Sequence, residues 1–264
     1  MNKKNISFII GMIMLGIMFA VLLVSFIYMP YDPEAINAAD KFLKPSGDHF
    51  MGTDNYGRDI FARVLLGMRT TIKISGIAII IGMVLGTLIG SVAGYVGGFI
   101  DEITMRVMDG LASIPAILLG MLFIGILGRG TWTVTAALGL AFIPSIARLV
   151  RGEFLNYKHR DYIKSAKLSG ASHARIMFVH ILPNMKNNIL NTIAVGFNNA
   201  VLAEAGMSFM GIGVQPPTPS LGEMLSSAQS FWGSAPWYAI FPGLAIMYMV
   251  IALVMFSEGL KERE

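Results

Sequence analysis

The chain has 264 residues, 55% of them hydrophobic and 14% charged, with a mean hydropathy of +0.65; charged residues make up about a quarter of an ordinary soluble domain, so a water-soluble fold is excluded and an integral membrane protein is implied. The absence of cysteine excludes a disulfide framework, a Cys-bound metal and a Cys nucleophile. The formal net charge of +4 reads as membrane orientation, because the basic residues flank apolar segments and form no stripe interleaved with aromatics of the kind nucleic acid requires.

Lys3 and Lys4 precede an apolar run from Ile6 to Tyr28. This run is longer than the roughly 7–15 residues of a secretory signal core and long enough for a bilayer that needs about 20, so a first transmembrane helix with its N-terminus inside is expected. Met29 to about Thr70 is then external, opening on the turn-forming Pro30 and Pro33. Within it Ile60, Val64 and Leu65 are spaced to form one face of a helix lying along the membrane surface. Its basic Lys41, Lys44, Arg58, Arg63 and Arg69 run against the rule that cations gather on the cytoplasmic side, and the acidic residues among them carry little topological weight.

A second span is expected from Ile72 to about Val96. Gly82, Gly86, Gly90 and Gly94 form a ridge of small residues on one face, the pattern of a helix in close contact with another. Gly97-Gly98 turns inside, where Arg106 and Asp109 stand at the i, i+3 spacing of an ion pair. A third span from about Met105 to Leu127 contains Pro115 and should kink. Gly128-Arg129-Gly130 turns outside, and a fourth span runs from about Thr131 to Val150.

Arg148 to Pro183 is a polar island with seven basic residues, placed in the cytoplasm by its charge. Tyr162, Ile163 and Ala166 recur at helical spacing, and Gly170 follows where a left-handed C-terminal cap is wanted. Ser172 is set to cap a second short helix carrying Ile176, Met177, Val179 and His180, and Pro183 ends it or opens the next span. Such a helix-turn-helix knob suits docking to a soluble partner, whereas a solvated basic loop that only fixes topology accounts for the composition equally well.

Span five, from about Asn184 to Ala205, carries Asn187, Asn188, Asn191, Asn198, Asn199 and Glu204. Much of this amide falls on one face. It either glues helices together, at about 0.6 kcal/mol per bond, or lines a wet translocation path. Gly206 to Pro236 is too broken by Gly and Pro to span, and is expected as a re-entrant or surface loop closing the external side. Trp237 to Phe256 is the last span, begun by interfacial aromatics. Six spans with both termini inside place thirteen of the twenty basic residues in the cytoplasm.

Three stretches then carry a family resemblance. Ala166, Gly170, Leu182 and Pro183 stand at the spacing of the EAA loop of ABC-type importer membrane subunits, with Lys164 at the Glu position, Ser165 at the first Ala and His180 at the Ile. Gly52-Thr53-Asp54 with Gly57-Arg58-Asp59 and Arg63 resembles the external signature of the dipeptide, oligopeptide and nickel permease branch, as does the run from Gly206 through Gly213-Val214-Gln215-Pro216-Pro217-Thr218-Pro219. The resemblance implies an all-α, six-span type I ABC importer (MetI-like) permease fold in the cell membrane. Its units are an N-terminal helix and external segment (1–70), the permease domain (71–257) with its coupling loop (151–183), and a cytoplasmic tail (258–264).

It further implies coupling to the ATPase through Tyr162, Lys164, Ser165, Ala166, Gly170, Ala171 and Pro183, and a translocation path along Asn191, Asn198, Asn199 and Glu204. The implied partners are a second homologous permease, two ATP-binding subunits and an external solute-binding protein. No G-x-x-x-x-G-K-[ST] loop or Gly-Lys dipeptide occurs, so ATP and Mg would be bound by those partners and the chain is no enzyme. The four histidines lie outside the expected spans, which disfavours an intramembrane enzyme, and the knob disfavours an ungated channel or scaffold. Tyr31-Asp32-Pro33 with Ala35-Ile36, Gly57-Arg58-Asp59-Ile60-Phe61 and Ala205-Gly206-Met207-Ser208-Phe209 resemble nickel members more than peptide members. Transport of nickel or a nickel chelate is therefore expected, with short peptides as the alternative.

Overall fold

The computed structural model describes residues 3–261; of the tail expected at 258–264, the last three residues lie outside this range. Among the described residues all regular structure is helical, with no strand beyond the isolated bridge between Thr53 and Asp59. The long helices are α1 (Lys3–Ile27), α2 (Ile60–Val96), α5 (Thr131–Tyr157), α8 (Lys186–Phe209) and α10 (Trp237–Lys261). Shorter ones are α3 (Gly98–Ala112), α4 (Ala116–Leu127), α6 (Asp161–Leu168), α7 (His173–Arg175) and α9 (Leu221–Ala228).

Among the described residues four helices are long and apolar enough to cross a bilayer, namely α1, α2, α5 and α10, and α3 with α4 makes a fifth if the bent pair is one span. At 24 residues α8 has the length but not the apolarity, because its asparagines replace aliphatic side chains.

Three expectations change. The helix expected to lie on the membrane surface around residues 60–65 is continuous with the second span, giving one helix of 37 residues. Its N-terminus is fixed by Asp59, whose carboxylate accepts from the Ala62 N–H at 2.7 Å, and no proline or helix-breaking pair follows, so nothing interrupts propagation. The boundary expected near residue 70 therefore falls inside α2. The kink expected at Pro115 is an 88° bend between α3 and α4. Pro115 lacks an N–H and biases Ile114 away from helical geometry, so α3 stops at Ala112 and α4 starts afresh. Arg106 and Asp109 do not pair with each other; Arg106 faces Glu102 at 3.8 Å, and Asp109 accepts from Arg148 on α5 at 2.6 Å.

The bundle is built on α2 against α5. A Cβ placed on Gly82 would meet Phe142 at 2.7 Å, on Gly86 Ile146 at 2.8 Å, and on Gly94 the Arg151 carbonyl at 2.7 Å, while Gly90 faces the Ala147 backbone. The ridge thus lets two backbones touch, and the gain is dispersion contact, since lipid gives no hydrophobic drive between helices. On the other side α8 packs between α2 and α10, and α1 lies along α10, where Phe8 stacks on Phe256 at 5.8 Å.

Gly90→Leu should lower the thermal midpoint of the purified protein sharply, by overpacking worth about 1–3 kcal/mol or more. Gly76→Ala meets only Phe197 at 3.7 Å and should leave the midpoint unchanged or slightly raised.

Candidate functional site

Three groups of side chains stand apart from the packing core: a knob at one end of the bundle, a buried ion network at the other, and a polar face between.

The knob is α6 followed by a helical run that begins at Ser172. Gly170 has φ +78°, which an L side chain adopts only at a cost. It closes α6 with a paired cap in which the Ala171 N–H donates to the Ala166 carbonyl and the Gly170 N–H to the Lys167 carbonyl, both at 3.0 Å. Ser172 then caps the next turn by accepting from the Arg175 N–H at 3.3 Å. From there α7, a π-helical stretch Ile176–Ile181, a 3₁₀ turn Leu182–Met185 and α8 follow without a break.

Pro183 explains the π stretch: without an N–H, and with a ring that crowds the carbonyl four residues back, it is accommodated by widening the turn before it, where the Leu182 N–H donates to the Met177 carbonyl. Proline here passes the helix on to span five.

The knob is fastened to the bundle. Ile163, Ile176, Met177 and Ile181 join Ile146, Val150 and Phe154 of α5 in one buried cluster. Tyr157 Oη donates to the Asn184 carbonyl at 3.1 Å and Lys158 Nζ to the Gly94 carbonyl at 2.9 Å, while Tyr95 Oη meets His173 Nδ1 at 2.8 Å. Lys164 and Ser165 are exposed, as are Tyr162 and Pro183, while Ala166 and Ala171 are half-buried. Lys164 Nζ lies 2.9 Å from Asp161 and holds that carboxyl below the usual range through its hydrogen bond and charge; burial pushes the Tyr162 hydroxyl up. The free face presents Leu168, 90% exposed, with Val179 and Phe178.

The amides of α8 do not act together. Asn188 Nδ2 donates to Glu153 on α5 at 2.8 Å and is the helix-to-helix glue. Asn191 and Asn199 line a cavity of about 300 Å³ between α2, α5 and α8, with Ser145, Thr192 and Phe142. Asn198 is not in that wall, and the side-chain oxygens of Asn191 and Asn198 have no hydrogen-bond partner among the described residues.

Glu204 departs furthest from its expected place. It is fully buried and turned into the protein, where Ser208 Oγ donates to Oε1 at 2.7 Å and the hydroxyls of Thr71 and Ser220 face it. Five residues past Asn199, about 140° around the helix, it points away from the Asn191–Asn199 cavity.

At the opposite end the GTD and GRD residues form a buried network. Asp54 accepts from the Tyr56 and Arg58 N–H groups at 2.7 and 3.0 Å and from Arg58 Nε at 2.7 Å. Arg63, with no exposed surface, lies 3.7 Å from Asp54 and 3.4 Å from Glu223 of α9, and donates to the Pro33 carbonyl at 3.1 Å. Asp59 meets His49 at 2.8 Å, and the Thr53 hydroxyl donates to the Asp40 carbonyl. Gly57 has φ +74° and lies against the Asn37 carbonyl, where a Cβ has no room; Gly52, also at φ +74°, lies against the Leu43 carbonyl and the Trp237 ring. These residues clasp the 28–59 segment, the start of α2, α9 and the start of α10. The Arg63–Glu223 pair, 160 positions apart, was beyond any local pattern. Among the described residues no three His, Asp or Glu converge as metal ligands.

Residues 86–262 match the model of the family described as binding-protein-dependent transport system inner membrane component. The chain is 36% identical to the dipeptide transport system permease protein DppC of Alkalihalophilus pseudofirmus, over 98% of this chain and 86% of that one. It is 37% identical to the glutathione transport system permease protein GsiD of Pectobacterium atrosepticum, over 89% and 78%.

The chain belongs to this permease family.

Two solved structures share the fold at 18% identity: a methionine ABC transporter in an inward-facing form, with TM-score 0.60 over 73% of this chain and 93% of that one, and an amino acid ABC transporter, with TM-score 0.56 over 77% and 95%. The chain is therefore a multi-pass inner-membrane permease subunit of an ABC importer and not itself an enzyme. Permeases of this family work with a second permease, ATPase subunits that hydrolyse ATP, and a solute-binding protein.

In this permease the clasp is open to a direct test. Arg63→Met leaves Glu223 and Asp54 short of a buried partner and should cost about 3–5 kcal/mol, read as a lower melting midpoint. Adding Glu223→Gln to that variant should recover part of the loss, as a double-mutant cycle would show.

Proposed function

We propose that the chain forms half of the translocation path of an importer for short peptides. It would cross the membrane six times, with α1, α2, α3 with α4, α5, α8 and α10 as spans and both termini in the cytoplasm. The observation that carries the substrate class is the near full-length similarity to dipeptide and glutathione permeases. This favours peptides over the nickel chelate suggested by Tyr31-Asp32-Pro33 and Ala205 to Phe209. The chemistry of the polar face agrees: Asn191, Asn199, Thr192 and Ser145 offer neutral donors and acceptors that match peptide bonds and hold no charge that would trap a cation.

The knob, with Tyr162, Lys164, Ser165, Ala166, Gly170, Ala171 and Pro183, is the docking element for the ATPase. Leu168, Phe178 and Val179 are the apolar anchors of that contact, and the basic rim of Lys164, Lys167 and Arg175 steers it. Closure of the ATPase pair pushes on α6. Because α6 shares a buried cluster with α5 and its Lys167 lies over the ring of Tyr95 at the inner end of α2, the push moves those helices rather than bending the loop. A second copy of the same fold supplies the other wall of the path, and the solute-binding protein delivers peptide at the clasp end.

Two measurements test this. Uptake of radiolabelled dialanine, but not of nickel, should be lost from cells lacking the chain; lost nickel uptake with intact dialanine uptake would sink the peptide reading. Leu168→Glu touches no packing and should change stability by no more than about 0.5 kcal/mol. It should nevertheless cut ATP-driven uptake at least tenfold, and unchanged uptake would remove the docking role.

A further inference from the structure

The clasp end carries cations that neither the ion network nor the path explains. Arg58 and Arg63 are paired within the clasp, but Arg69 and Lys73, one turn apart on α2, face no carboxylate among the described residues. They open onto a separate cleft of about 670 Å³ between α1, α2 and the start of α5. The guanidinium of Arg69 lies 4.0 Å from the Phe26 ring and Nε donates to Ser25 Oγ at 2.8 Å, which leaves its two terminal nitrogens without an acceptor among the described residues. Lys73 is exposed and stands 5.8 Å from the Trp132 ring.

The level of this cleft identifies its surroundings. Lys73 lies about 35 Å, and Arg69 about 40 Å, from the Val96 end of α2 at 1.5 Å per residue. A hydrocarbon core is about 30 Å thick and the bilayer with headgroups about 40–45 Å, so both cations reach headgroup depth when Val96 stands at the opposite interface. Phe26 at the end of α1 and Trp132 at the start of α5 are 66% and 70% exposed at the same level, as interfacial aromatics are.

The walls below the cations are aliphatic, and the hydroxyls of Thr70 and Thr135 are spent on carbonyls of their own helices. A peptide would find few partners for its amides there. The cleft also shares no lining residue with the Asn191–Asn199 cavity.

We propose that this cleft binds an anionic phospholipid, its phosphodiester held between the Arg69 guanidinium and the Lys73 ammonium and an acyl chain lying along Leu22, Leu66 and Ile77. In the topology proposed above the lipid belongs to the outer leaflet. The site accounts for cations that run against the charge rule: the headgroup neutralises them where no protein carboxylate does.

The test uses the assembled transporter, purified with its partner subunits in a non-ionic detergent and titrated with phosphatidylglycerol or phosphatidylcholine while retained lipids are counted by native mass spectrometry. The wild-type complex should retain one phosphatidylglycerol more than the R69Q/K73Q complex, with affinity at that site falling roughly ten- to thirtyfold. Phosphatidylcholine retention should be the same for both. The charge-preserving R69K/K73R complex should retain phosphatidylglycerol like wild type, which separates loss of charge from loss of assembly. Equal retention of the two lipids by the wild-type complex overturns the proposal whatever the variants do. Displacement of the retained phosphatidylglycerol by dialanine also overturns it, and would make the cleft a substrate subsite.

Discussion

The contact on which the rest of the molecule depends is the one between α2 and α5, where four glycines at 82, 86, 90 and 94 remove every side chain that would hold the backbones apart. In a bilayer two helices gain little from hiding apolar surface, and what they do gain falls off within an ångström of separation. Close approach sustained over more than three turns is therefore how this pair is held. Everything else is arranged on it: α8 against the opposite flank of α2, α9 over the clasp, and the knob beyond the end of α5.

Because α2 is a single helix, it joins two regions of opposite character. Its first turns hold the clasp, in which Asp54, Arg58, Arg63 and Glu223 are almost wholly removed from water. Such charges persist only when each is met by several partners, and the 28–59 segment, with no regular structure of its own beyond one 3₁₀ turn, owes its shape to them. Its last turns are tied to the knob through Lys158 and the Tyr95–His173 contact. A displacement of the knob is thus delivered to a rod that ends in a buried, charged block, and the cavity beside Asn191 and Asn199 lies along the middle of that rod.

Glu204 shows how a buried polar residue of α8 can hold the fold together. Its carboxylate gathers hydroxyls from three elements, Thr71 of α2, Ser208 of α8 and Ser220 at the cap of α9. All three hydroxyls also accept backbone N–H groups, Ser208 from Val214, Thr71 from Leu221 and Ser220 from Glu223. The irregular run 210–220 is held in place by this hub, so non-helical backbone at that depth rests against protein and keeps its hydrogen bonds.

The sequence by itself determined what depends on neighbours along the chain. Apolar length and period mark the long helices, Gly170 and Ser172 mark the caps of the knob, the glycine spacing marks a close-packed face, and the GTD and GRD stretch marks the branch of the family. Tertiary structure alone decided the partners of each face. Helical spacing groups Asn191, Asn198 and Glu204 only loosely, and burial separated them, because which side of α8 meets α2 and α9 depends on side chains far away in sequence. The Arg63–Glu223 pair and the Arg69–Lys73 cleft arise in the same way. Charge shows that a cation is present, but whether it ends against a carboxylate or an open groove is set by which helix packs beside it.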